Sequence, residues 1–134
     1  MFWICKYSIN FQFPNRLRLK IALYLARLHN QRALVSVKVA YAEEAKSIWL
    51  EDLIELIENC ASCPVYPLLK REDEKFVTEK AWNNPKFVED VLRDAVVSLR
   101  KLPDVIEFDV DCEAFESIHN HSAWAYQREV KEVL

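Results

Sequence analysis

A chain of 134 residues without one glycine is restricted in how tightly it can turn and in what its backbone can hold. Average usage of about 7% would give about nine glycines. Glycine lets a backbone approach phosphate closely, so its absence excludes a P-loop and a GxGxxG dinucleotide turn. Apolar mass is plentiful instead. With 51% hydrophobic and 12% aromatic residues, the chain can bury a core and does not read as disordered. The length suits one domain or half of a larger unit. No uninterrupted apolar run reaches the roughly 18 residues of a transmembrane helix, so no membrane partner is expected.

Charge is unevenly placed. Met1 to Ala42 carries seven basic residues and no acidic one, while the remainder carries eleven basic and twenty-one acidic. Such asymmetry can mark a nucleic-acid arm or a targeting peptide. The basic cluster Arg16-Leu17-Arg18-Leu19-Lys20 has no aromatic between its cations for base stacking, and Ser8 is the only serine in the first 28 residues. Neither a nucleic-acid partner nor a targeting role is therefore expected. Cys5, Cys60, Cys63 and Cys112 are scattered, as in a reduced, cytoplasmic protein. Cys60-Ala-Ser-Cys63 has zinc or redox spacing, but lacks a second pair and closes a helix rather than opening one.

Val35, Val37, Val39 and Tyr41 alternate with Ser36 and Lys38, which predicts a half-buried strand over Ala33–Tyr41. Ser47 is placed to cap a helix from Ile48 to about Asn59, with Leu53, Ile54 and Ile57 on its apolar face. Lys70 to Asn84 is highly charged without an apolar face and reads as a long loop. Asn84-Pro85 then reads as a cap and first helical residue, opening a helix to about Leu102 that buries Phe87, Val88, Val91, Leu92, Ala95, Val96 and Leu99. Val105–Cys112 and Ser122–Val133 read as strands, the first imperfectly alternating. Leu17–Leu25 fits a strand, or nearly as well a helix. The order predicts an α+β unit, ββααββ if that segment is a strand, with an antiparallel sheet and two helices packed on one face.

Several residues could carry chemistry. His119 and His121 are two apart, so extended backbone points both to one face, and Glu116 stands three before His119. Imidazole with carboxylate suits zinc, iron or manganese; an ordinary polar surface turn is the other reading. The charged segment offers Glu72, Asp73, Glu74 and Glu79, either as ligands or as a solvated loop. Glu89 lies at the margin of an apolar stripe and could pair with Arg93 at i,i+4.

The run Ser62–Ala81, the block Asn84-Pro85-Lys86-Phe87-Val88-Glu89-Asp90, the block Phe115-Glu116-Ser117-Ile118-His119-Asn120-His121-Ser122-Ala123, and His29-Asn30-Gln31-Arg32 closely resemble GTP cyclohydrolase type IB, in the family's order. The resemblance implies the tunnelling fold, whose units assemble into barrels with sites between subunits of a homo-oligomer. It implies hydrolysis of GTP at guanine C8, releasing formate and forming 7,8-dihydroneopterin triphosphate for folate biosynthesis. It places Glu74, Glu116 and His119 around a divalent metal (zinc, manganese or iron), Glu89 on guanine, and His29 and His121 in proton transfer.

The family's metal-binding Cys-Pro motif upstream of His29 has no counterpart, position 17 being Leu17. Residues 1–28 are therefore expected to be a segment unlike the family, and 29–134 its C-terminal unit. A truncated chain with weakened metal affinity and activity is expected, the alternative being a non-catalytic assembly module.

Overall fold

The computed structural model describes residues 18–27, 31–42, 49–66, 68–115 and 119–131, with backbone alone for 18–27 and 31. Four strands, β1 (Arg18–Arg27), β2 (Gln31–Tyr41), β3 (Val105–Phe115) and β4 (Ser122–Val130), form one antiparallel sheet in the order β1-β2-β3-β4. Helices α1 (Leu50–Glu58), α2 (Arg71–Asn83) and α3 (Val88–Arg100) lie between β2 and β3 in sequence. The unit is α+β, as its sequence predicts. The sheet takes in Arg18–Arg27, ahead of residue 29, each residue paired with one of β2 from Ala40 back to Gln31.

Alternation decides the faces. Ala33, Val35, Val37 and Val39 of β2 and Phe108, Val110, Cys112 and Ala114 of β3 are buried. They pack with Leu53 and Ile57 of α1 and Val88, Val91, Ala95 and Leu99 of α3 in one core. Each large side chain so buried contributes about 1.5–3 kcal/mol. The imperfect alternation of β3 has a local cause. Ala40 pairs with Glu107 but Tyr41 pairs with Val105, so the register shifts around Ile106. That irregularity turns Val105 inward with Phe108 and Val110, three and five residues on.

The opposite face is a polar ladder. Ser122 donates to Glu113 at 2.6 Å, Trp124 Nε1 to Asp111 at 2.9 Å and Tyr126 Oη to Asp109 at 2.5 Å, while Arg128 binds Glu107 at 2.5 Å. The Trp124 and Tyr126 rings stack at 6.0 Å. Diagonal cross-strand pairs of this kind fix register without burying apolar area.

Two expectations need correction. Lys70–Asn84 is not a loop: it contains α2. Only Ala81 of this helix is buried, so it has no apolar periodicity to betray it. Local contacts support it instead: Asp73 accepts the Lys70 N–H at 2.9 Å, Lys75 pairs with Glu79 at 3.7 Å, and Lys80 lies 5.7 Å from the Phe76 ring centroid. Asn84-Pro85 does not open the last helix either. Phe87 is its N-cap residue, and the Asn84 side chain donates to the Ala61 and Ser62 carbonyls at 3.3 and 3.2 Å. Helix α1 begins at Leu50 after Trp49; the expected cap Ser47 lies outside the described residues.

Candidate active site

Three places on this frame carry the candidate residues. The first turn of α2 carries Glu74, whose N–H donates to the Lys70 carbonyl at 2.9 Å and whose carbonyl accepts the Thr78 hydroxyl at 2.8 Å. Its carboxylate is exposed and lines a shallow surface depression with Arg71, Lys75, Thr78 and Glu79.

The turn between β3 and β4 carries His119 and His121, both exposed. Their rings stack with centroids 5.1 Å apart and planes 8° from parallel. Imidazole lone pairs lie in the ring plane, so two stacked rings do not aim at one ion. His29 and Glu116 lie outside the described residues. Glu74 and His119, two of the three expected metal ligands, thus stand on separate elements. Among the described residues no three His, Cys, Asp or Glu side chains form a group that could hold a metal.

The first turn of α3 carries Glu89, and here the surroundings are better defined. The helix holds three carboxylates in its first half, Glu89, Asp90 and Asp94. Asp90 accepts the Phe87 N–H at 2.9 Å and binds Arg93 at 2.7 Å. The Phe87 N–H first, and Arg93 second, hold its carboxyl below the ordinary range. Asp94 binds Lys86 at 2.7 Å, and the same ammonium donates to the Cys60 carbonyl at 2.9 Å. Glu89 is exposed and forms no ion pair among the described residues.

Sequence reasoning missed Asn84, Lys86 and Asp90 as the residues that set this turn. Together they tie the start of α3 to the 60–62 segment after α1, and so fix where Glu89 stands. Their signal was present in Asn84-Pro85-Lys86 and in Asp90 three residues after Phe87, a one-sided capping pattern. Cys60 and Cys63 are buried and free, and burial pushes both thiols up.

Comparison with known proteins places the chain in a family. The family model for type I GTP cyclohydrolase folE2 matches residues 10–125. The GTP cyclohydrolase FolE2 of Citrifermentans bemidjiense is 60% identical over 97 residues, covering 72% of this chain and 35% of that protein. The FolE2 proteins of Geotalea uraniireducens and Thermosipho africanus are 59% and 58% identical over the same length. The chain therefore spans about a third of the length of these relatives (35–36%). Among solved structures, a dihydroneopterin aldolase from Burkholderia thailendensis bound to guanine superposes with a TM-score of 0.57, covering 88% of this chain and 93% of that one. At 13% identity that likeness shows the shared tunnelling fold alone. On the family match and these relatives together, the chain belongs to the type I GTP cyclohydrolase folE2 family.

Proposed function

We propose that this chain is part of a GTP cyclohydrolase, acting in metal-assisted hydrolysis of GTP at guanine C8. The reaction releases formate and leaves 7,8-dihydroneopterin triphosphate for folate biosynthesis. Glu89 is the observation that carries the reading: an exposed carboxylate without a cation among the described residues, on a helix whose two neighbouring carboxylates each have one. Guanine offers N1–H and its amino group side by side, and a carboxylate accepts both in one plane.

Glu74, Glu116 and His119 would hold the metal. Two carboxylates and an imidazole are donors that zinc, manganese and iron all accept. A bound divalent ion supplies water acidic enough to ionise near neutral pH. His121, exposed beside His119, is suited to carry a proton to the ring nitrogen freed when the C8–N bond opens, and His29 is proposed to share that work. Assembly of several copies, with sites completed between subunits, belongs to the same reading. Its support is that β1 and β4 are sheet edges, and that Phe76 and Trp82 of α2 stay exposed in a single chain. A cytoplasmic location, without nucleic-acid or membrane partners, is part of the proposal. No described helix is long and apolar enough to cross a membrane.

A non-catalytic assembly module is the second reading. One observation favours it: position 17 is Leu17, so the metal-binding Cys-Pro motif that the family resemblance calls for upstream of His29 has no counterpart. Formate release from GTP separates the two. A module binds its partners, and even GTP, without releasing formate.

A further inference from the structure

We propose that the Phe87 ring is a stacking platform for the purine base whose edge Glu89 receives; this deepens the reading of Glu89 and rests on it. Phe87 is 73% exposed, although its place in the apolar pattern predicts burial. Its backbone is fixed. The N–H donates to the Asp90 carboxylate at 2.9 Å, and the carbonyl accepts from the Asp90 and Val91 N–H groups at 3.1 and 3.2 Å. Val88, the next residue, is buried in the core. A well-anchored turn therefore holds a large apolar ring in water, where hydrophobicity alone would not leave it. No aromatic or cation–π contact occupies that ring among the described residues.

Two residues further on, the same turn presents the Glu89 carboxylate. The nearby cations are committed elsewhere, Lys86 to the Cys60 carbonyl and Asp94, and Arg93 to Asp90. What remains on this turn is one aromatic face and one anionic acceptor. A planar base with adjacent N–H donors asks for that combination, because its face and its edge are recognised by different groups. Recognition of the face tolerates any base, since every base has a π-surface. Recognition of the edge does not. The two residues thus make separable contributions: Phe87 to affinity for purines in general, and Glu89 to the preference for guanine.

The test is equilibrium binding of GTP and ATP to the full chain and to Phe87→Ala, Phe87→Tyr and Glu89→Gln. Phe87→Ala is expected to weaken both nucleotides by a similar factor, roughly tenfold. Phe87→Tyr keeps the ring and is expected to bind as the parent does. Glu89→Gln is expected to lose the preference for GTP while binding ATP no more weakly. Phe87→Ala binding both nucleotides as tightly as the parent would overturn the stacking role, and leave Glu89 as guanine anchor if Glu89→Gln has lost its preference. The reverse pattern, Phe87→Ala weakened and Glu89→Gln still preferring GTP, removes the guanine anchor and keeps the platform. Phe87→Leu, apolar but not planar, covers a failure of the alanine variant to fold, and is expected to weaken binding equally.

Discussion

Arg93 binds Asp90, with Nη1 and Oδ1 2.7 Å apart, and leaves Glu89 without a cation among the described residues. The i,i+4 pairing open to Glu89 and Arg93 is not made, because Asp90 is nearer along the helix and is itself fixed by the Phe87 N–H. Glu89→Gln therefore removes no structural ion pair. It is expected to leave the thermal midpoint unchanged and to weaken GTP binding by about 1–3 kcal/mol, as one acceptor becomes a donor. Calorimetric titration checks the binding. Arg93→Ala is expected to leave it unchanged.

Acid should act through the same turn. The Asp90 carboxyl is held low by the Phe87 N–H and Arg93, and Glu129 is held low by Arg100, which donates to it at 2.7–3.0 Å. A lowered folded-state pKa means stability present above the unfolded value and lost as pH falls through the folded one. The unfolded values lie near 4. Thermal midpoints should therefore fall as pH drops below about 4, and Asp90→Asn and Glu129→Gln should each flatten that fall. A decline as steep in the double variant as in the parent would count against both pairs.

Alkaline pH should act through Tyr41. Its hydroxyl is buried without a hydrogen-bond partner among the described residues, and burial pushes its pKa up to about 12. The unfolded phenol ionises near 10 while the folded one stays neutral, so stability falls as pH rises from about 10 to about 12, by about 2–3 kcal/mol. Tyr41→Phe removes an unsatisfied polar atom. It is expected to match or exceed the parent in stability at neutral pH, and to lose this alkaline decline. Urea unfolding at pH 7 and pH 11 measures both.

The core supplies a contrast. Leu99 is fully buried between α3 and the sheet. Leu99→Ala is expected to cost 2–5 kcal/mol in urea unfolding, far more than any change at exposed Glu89 or Phe87.

Burial made much of this fold legible. Val35, Val37 and Val39 on β2, and Val91, Ala95 and Leu99 on α3, repeat with the periods of a half-buried strand and helix, and all are buried. Helix α2 was not legible, because it is held by its own charges and caps and buries only Ala81. Phe87 was misplaced for a related reason: apolar periodicity does not distinguish a core residue from an aromatic held at the surface. The Asn84 and Lys86 bonds to the segment after α1 join residues more than twenty apart, which local patterns do not report. His119 and His121 stand out by their spacing and Glu74 by its charged segment, whereas the roles of these residues and of Glu89 come from resemblance to a family. The structure adds that Glu89 has no cation among the described residues and that the two histidine rings stack.

Formate release tests the functional reading most directly. The assembled chain would be given GTP and a divalent metal, with formate and pterin fluorescence followed together. The expected result is formate and pterin in equal amounts, lost on chelation, restored by added metal, and strongly reduced in Glu89→Gln. GTP bound without formate release at any metal concentration would contradict it, and would mark the chain as an assembly module.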